Sequence, residues 1–124
     1  MIIGFDYWQV LSHYPDEIST LEAALFQDHE THFISAVGNS RRGSVTAEVL
    51  KIIPEFDPEN VHEVVFKHAR ESPELKLAKC KELGITMFFD DRTDVVDLLN
   101  QNGVLAFRVP RKKRGQSDID AERK

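Results

Sequence analysis

Residues 85–96 read ITMFFDDRTDVV and carry the strongest local signal for the fold. The first five residues are mostly apolar, β-branched or aromatic, and they are too few for a helix, so they predict a buried strand. The pair Asp90-Asp91 follows at the end of that strand. Apolar residues then recur at helical spacing over 93–101, with Asn102-Gly103 as the end of the helix. The stretch therefore predicts a strand, an acidic pair at its carboxyl end and a helix.

The same alternation extends in both directions along the chain. We predict strands at 2–5, 32–37, 61–66, 85–89 and 104–109, and helices at 16–28, 45–53, 72–83 and 93–101. Asp16 is the predicted N-cap of the first helix, Pro54 ends the second, and Gly84 is the predicted C-cap of the third. Strands that alternate with helices predict an α/β fold, here a three-layer, Rossmann-like fold with a five-stranded parallel sheet.

The 124 residues are enough for one domain with its own core, which we place at residues 1–110. Residues 111–124 begin with a basic cluster, continue with mixed charge and hold almost no apolar side chains, so they predict a charged flexible tail. The formal net charge of −5 gives no general attraction to nucleic acid, although it allows a local basic patch.

The chain also carries signals about its compartment. Cys80 is the only cysteine, so an internal disulfide cannot form, as is usual in a reducing compartment. The N-terminus has no basic segment followed by a long apolar stretch, so we expect no signal peptide. No run approaches the ~20 apolar residues of a membrane span. We therefore expect a cytoplasmic protein with no membrane partner.

Polar side chains occur at the carboxyl ends of the predicted strands, where ligands bind in parallel sheets. They are Asp6, Ser35, Asp90 and Asp91. Carboxylates that converge repel one another, and a hard cation with oxygen ligands such as Mg²⁺ relieves that repulsion. Phosphate oxygens could complete the coordination of the ion, and Asp6 could attack phosphorus to give an aspartyl-phosphate.

These residues belong to four short motifs in a recognisable order: an aspartate after the first strand, a serine at the second, a lysine on a helix, and an acidic pair after a later strand. In this order and spacing the chain resembles the haloacid dehalogenase (HAD) superfamily. The stretch from Phe89 to Val96, followed by Gly103-Val104 and a fifth strand, is similar to the phosphatase domain of polynucleotide kinase/phosphatase enzymes and to related capless members. The resemblance implies a HAD-like fold without a large cap domain.

The resemblance also implies a role for each matching residue. Asp6 matches the nucleophile and metal ligand, and the backbone carbonyl of Trp8 matches a second ligand. Asp91 matches the direct metal ligand, and Asp90 matches its neighbour, often reached through water. Ser35 matches the phosphate-binding hydroxyl.

The lysine motif has more than one possible match in this chain. Lys76 matches the lysine that neutralises the nucleophile and the phosphoryl group, because it lies near the start of the third predicted helix. Lys67 and Lys79 are the alternatives. The implied catalytic set is Asp6, Ser35 and Lys76.

The first motif departs from the family pattern at its third position. The family has Asp-x-Asp followed by Gly-Thr, whereas this chain has Asp6-Tyr7-Trp8-Gln9-Val10. The second aspartate is the general acid and base in the phosphatases, and an indole cannot transfer that proton. Trp8 could equally be a core anchor or a stacking platform for a substrate ring.

Two functions follow from this pattern. The first is a Mg²⁺-dependent hydrolase that acts through an aspartyl-phosphate on a phosphorylated small molecule or a nucleic-acid end. The second is a binding module that keeps the metal and phosphate pocket but is catalytically impaired, because Trp8 replaces the general acid and base. A receiver domain of two-component signalling is disfavoured, because its acidic pair follows the first strand and not the fourth.

Overall fold

Five strands and four α-helices alternate in the computed structural model, which describes residues 1–112. Residues 113–124, most of the predicted tail, lie outside the described part. The elements are β1 (Ile2–Phe5), α1 (Pro15–Phe26), β2 (Glu30–Gly38), α2 (Ser44–Ile52), β3 (Val61–Phe66), α3 (Ser72–Leu83), β4 (Met87–Asp90), α4 (Thr93–Gln101) and β5 (Leu105–Arg108).

All five strands pair in parallel, in the order β3-β2-β1-β4-β5. The chain builds the sheet outward from β1 to β3 and then returns to the other side of β1 with β4 and β5. The strand order therefore reverses between β1 and β4, which is where open α/β sheets form their ligand crevice. The predicted five-stranded parallel sheet and Rossmann-like α/β architecture are confirmed.

Two apolar cores lie on opposite faces of the sheet. One packs Phe5 and Phe33 of the sheet against Val45 and Val49 of α2, with Ile18 of α1 alongside. The other packs Ile34 and Phe88 against residues of α3 and α4, among them Cys80, Val95 and Leu99. The sheet is thus the middle of three layers, as the alternating pattern predicts.

Several element boundaries differ from those predicted. The first helix begins at Pro15, with Tyr14 at its N-cap, so the prediction of Asp16 as N-cap is wrong; Asp16 lies in the first turn. Proline is common at the first helical position, because its fixed φ matches that of a helix and the N–H it lacks would have no partner within the helix there. Gly84 is the C-cap of α3, with a φ of 74° that glycine adopts without strain.

The chain between β1 and α1 forms a tight wound turn over Tyr7–Leu11, which composition alone did not predict. Gln9 has a φ of 64° inside this turn, in the left-handed region that few residues other than glycine adopt. No domain is inserted between the elements within residues 1–112. None of the helices in these residues is long and apolar enough to cross a membrane.

Gly4 of β1 should be essential for packing. A Cβ at this position would lie 2.5 Å and 2.8 Å from two ring carbons of the buried Phe88 side chain. We expect Gly4→Ala to lower the free energy of unfolding by about 1–3 kcal/mol, the usual cost of overpacking a core. Denaturant unfolding followed by circular dichroism would measure the change.

Gly38 is the matched control for this substitution. It also lies in a strand, but an added Cβ would be 3.8 Å from the Phe66 ring, an ordinary contact, and its φ is −73°. Gly38→Ala should leave stability unchanged or raise it by up to about 1 kcal/mol. Equal losses in both variants would contradict the packing argument.

Candidate functional site

Asp6, Asp90 and Asp91 meet at the carboxyl ends of β1 and β4, where the strand order reverses. The register pairs Phe5 with Phe89, and the Asp6 N–H donates to the Phe89 carbonyl at 2.9 Å, so the two strands end at the same level. One carboxylate oxygen from each aspartate lies within 4.8 Å of the other two, and all three residues are buried. The three side chains therefore converge at this edge of the sheet, as predicted.

Ser35 is the fourth residue of this group, but it lies inside β2 and not at its end. β2 runs to Gly38 and so passes beyond the end of β1, which places Ser35 beside the first residue after β1. The Ser35 hydroxyl donates to Asp6 Oδ1 at 2.8 Å. The Tyr7 N–H donates to the same oxygen at 2.8 Å. These two donors fix the orientation of the Asp6 carboxylate.

Lys76 of α3 completes the group. Its ammonium donates to Asp90 Oδ2 at 2.6 Å and lies 3.3 Å from Asp6 Oδ2, with only 2% of the residue exposed. The two alternative lysines lie elsewhere: Lys67 is exposed, and Lys79 pairs with Glu82. Of the three candidates, Lys76 is the one in contact with the aspartates.

Burial and charge shift the pKa values of these groups in a way that suits a ligand site. Burial raises the pKa of Asp6 to about 7, with Lys76 opposing the rise and Asp90 adding to it. Burial also raises the pKa of Asp90, again against the attraction of Lys76. Burial lowers the pKa of the Lys76 ammonium, but the charges of Asp6 and Asp90 outweigh it, and the net shift is upward. The positive charge of Lys76 therefore interacts with two carboxyl groups, those of Asp6 and Asp90.

Two arginines border the acidic pair. The Arg111 guanidinium donates to Asp91 Oδ2 at 2.7 Å, although Arg111 falls in the segment predicted to be a tail. The backbone N–H of Arg92 donates to Asp90 Oδ1 at 3.0 Å and holds that carboxylate in place. The contact between Arg111 and Asp91 spans 20 residues, and no local sequence pattern signals it.

A cleft of about 230 Å³ opens above these residues. Its wall includes Asp6, Ser35, Lys76 and Asp91, together with Trp8, Gln9, Phe66, Ser72 and Arg111. The Trp8 side chain stands at the rim with 40% of the residue exposed, and the Arg41 guanidinium lies 5.9 Å from its ring centre. Trp8 is thus not a buried core anchor: its ring contacts the Tyr7 ring at a centroid distance of 4.9 Å and remains partly exposed at the rim.

The lining of the cleft also shows what it lacks for acid–base chemistry. Among the described residues that form its wall, the carboxylates are Asp6 and Asp91, and no histidine is present. Asp6 is held by Ser35 and Tyr7, and Asp91 by Arg111. Within residues 1–112, no third carboxylate lines this cleft.

The raised pKa of Asp6 predicts how the binding of any cation by these aspartates would depend on pH. In the metal-free protein, folded Asp6 keeps its proton up to about pH 7, whereas the unfolded group loses it near 3.8. This group therefore makes the metal-free fold less stable as pH rises through that window. An ion must displace the proton, so it competes poorly at low pH.

We expect Mg²⁺ to raise the midpoint of thermal unfolding more at about pH 8 than at about pH 5.5. Differential scanning fluorimetry with excess Mg²⁺ or with EDTA at both pH values would measure this difference. Asp28→Asn, which changes an exposed carboxylate at the end of α1, should behave like the wild type. A stabilisation by Mg²⁺ that does not change with pH would contradict a role for the Asp6 carboxylate.

Comparison with known proteins adds nothing to this geometry: no protein-family model, no curated protein and no solved structure matches the chain.

Proposed function

We propose that the protein is a Mg²⁺-dependent, HAD-like hydrolase that cleaves a phosphate ester through an aspartyl-phosphate on Asp6. The observation that carries this proposal is the contact of Lys76 with Asp6 and Asp90 beside Asp91, at the point where the strand order reverses. A buried lysine between two carboxyl groups, open to a cleft, is an arrangement that suits a phosphoryl group.

The three aspartates fit a hard divalent cation. They offer carboxylate oxygens within 4.8 Å of one another, and oxygen is the donor that Mg²⁺ prefers. Asp6, Asp91 and the Trp8 carbonyl would hold the ion, with Asp90 as the outer partner. When bound, the ion would draw electron density from the phosphoryl oxygens and screen their charge from the carboxylates.

Asp6 is placed to act as the nucleophile. Its Oδ1 accepts hydrogen bonds from Ser35 and Tyr7, whereas Oδ2 lies 3.3 Å from the Lys76 ammonium, and Asp6 lines the cleft. In the first step an Asp6 oxygen bonds to phosphorus, and the bond from phosphorus to the leaving oxygen breaks with its electron pair. Lys76 neutralises the added negative charge. Water then bonds to phosphorus, the bond from phosphorus to the Asp6 oxygen breaks, and the protons of the water leave with the phosphate, which restores the Asp6 carboxylate.

Trp8 limits which substrates can react. The leaving oxygen departs without a proton donor, so esters of acidic alcohols should react faster than esters of simple alcohols. The cleft is bordered by Arg92 and Arg111, and Arg41 lies over the Trp8 ring. Arg111 pairs with Asp91 and Arg92 with Asp94, but these guanidinium groups still suit an anionic ligand such as a phosphorylated small molecule or a nucleic-acid end.

Trp8 also favours a second candidate function. A binding module that keeps the metal and phosphate pocket would need Lys76, Ser35 and the aspartates but no proton-transferring group. Such a protein would bind phosphate compounds in the presence of Mg²⁺ without turnover.

A phosphate-release screen with and without Mg²⁺ tests the proposal and separates the two candidates. The panel should include aryl phosphates, alkyl phosphates and phosphorylated nucleic-acid ends. Release that requires Mg²⁺ and is fastest for aryl phosphates supports the hydrolase. Tight binding of the same compounds without any release supports the binding module, and neither binding nor release contradicts both.

A further inference from the structure

Two buried polar atoms, on residues that line the cleft, have no hydrogen-bond partner among the described residues. They are the Ser72 hydroxyl oxygen and the Gln9 side-chain oxygen Oε1. Both residues line the cleft that contains Asp6 and Lys76. Because a buried polar group without a partner destabilises a fold, such atoms are rare in native proteins and call for an explanation.

Ser72 is the first residue of α3 and is 1% exposed. Lys76 follows four residues later, so the two side chains lie on the same face of the helix. A serine in a helix commonly donates to a carbonyl one turn earlier. The nearby Ala69 carbonyl instead accepts from the Ser72 backbone N–H and from Arg92. The Ser72 hydroxyl is therefore left without a bond on the wall of the cleft.

Gln9 comes directly after Trp8, in the turn over Tyr7–Leu11. Its backbone is held in the wound turn because its N–H donates to the Ser12 hydroxyl at 2.8 Å. Gln9 is one of the residues that line the cleft, and its side-chain Oε1 is buried and has no partner among the described residues. This oxygen can only accept a hydrogen bond.

The two atoms differ in what they can bind. The Ser72 hydroxyl can donate to a phosphoryl oxygen, but a phosphate dianion has only acceptors and cannot satisfy Gln9 Oε1. Gln9 therefore requires an O–H or N–H donor, and only the esterified part of the ligand can bring one. The exposed Trp8 ring stands beside Gln9 and offers a flat surface for the same part of the ligand.

We propose that Gln9 and Ser72 are ligand-binding residues that select a phosphate ester with a hydroxyl-bearing ring, such as a sugar phosphate. This inference rests on the proposed function, since Lys76 and the aspartates are taken to hold the phosphoryl group. Gln9 Oε1 accepts from a ring hydroxyl, and Ser72 donates to an acceptor oxygen of the same ligand. A simple aryl or alkyl phosphate leaves Gln9 without a partner.

Fluorescence of Trp8 gives a direct test, because Trp8 is the only tryptophan in the chain. The full chain is titrated in Mg²⁺ with inorganic phosphate, phenyl phosphate and a ribose phosphate. We expect the ribose phosphate to bind most tightly. Gln9→Met, which keeps the size but loses the acceptor, should weaken ribose phosphate binding about threefold to tenfold and leave phosphate binding unchanged.

Ser72→Ala should weaken ribose phosphate binding by a similar factor of about threefold to tenfold. It should leave the midpoint of thermal unfolding unchanged or raise it, because the hydroxyl has no partner to lose. The matched controls are Gln101→Met on α4 and Ser19→Ala on α1, which should behave like the wild type.

The outcomes separate this inference from the proposed function. Wild-type binding of inorganic phosphate, with no effect of Gln9→Met or Ser72→Ala on the ribose phosphate, overturns the inference alone. Phenyl phosphate binding as tightly as the ribose phosphate also overturns it. A wild type that binds neither Mg²⁺ nor inorganic phosphate overturns both.

Discussion

Asp6→Asn should reduce Mg²⁺-dependent phosphate release by roughly 10³–10⁶-fold, the scale on which enzymes lose activity when the nucleophile is removed. The amide has nearly the same shape as the carboxylate, but it is a poor nucleophile and removes one charge from the proposed metal site. Release measured with a good aryl phosphate, in excess Mg²⁺, gives the widest range for this comparison.

Folding of the variant is not expected to obscure the result. Burial raises the pKa of Asp6 to about 7, so the charged form is unfavourable in the metal-free fold. The amide can still accept from Ser35 and Tyr7, as the carboxylate does. Asp28→Asn serves as the control and should keep full activity. Equal activity in Asp6→Asn and the wild type would show that another group reacts with phosphorus.

Trp8→Asp should increase release from an alkyl phosphate by about 10²–10⁴-fold, the usual contribution of a positioned acid or base. Release from an aryl phosphate should change far less, because that leaving group departs without a proton. The measurement is the ratio of kcat/KM for the two substrates in each protein. Trp8 is 40% exposed at the rim of the cleft, so its replacement removes little core packing.

Trp8→Asn is the matched control for this gain. It has the size of aspartate and the same effect on packing, but it transfers no proton at neutral pH. If Trp8→Asp raises the rate of alkyl phosphate release and Trp8→Asn does not, the rate of the wild type is limited by the missing acid–base group. The same rate in both variants would contradict it.

Local sequence patterns predicted most of the elements because each carries its own signal. The run from Ile85 to Phe89 predicted a short buried strand, which the structure has at Met87–Asp90, and Gly84 before it has the positive φ of a helix C-cap. The bounds of α3 and α4 agree with those predicted, since Ser72-Pro73 and Asn102-Gly103 mark a start and an end. The wound turn over Tyr7–Leu11 was not predicted, because it needs a positive φ at Gln9 and glutamine rarely adopts that conformation.

The position of the candidate site follows from parallel strands, but its details depend on packing. Asp6 and Asp90 follow from strand ends that share one edge of the sheet. Ser35 reaches Asp6 only because β2 extends past β1, a matter of register that the pattern does not specify. The contact of Arg111 with Asp91 and the unpartnered Ser72 hydroxyl depend on how distant segments pack, so neither could be predicted.

The most direct test is to measure Mg²⁺ binding by isothermal titration calorimetry. The metal-free wild type and Asp91→Asn are each titrated with Mg²⁺. The aspartate geometry predicts one ion bound per chain. It also predicts that Asp91→Asn weakens binding by about tenfold or more, since even outer-shell changes have effects of that size. Asp28→Asn should bind like the wild type. Wild-type protein that binds no Mg²⁺, or Asp91→Asn that binds it equally well, would contradict a metal site at Asp6, Asp90 and Asp91.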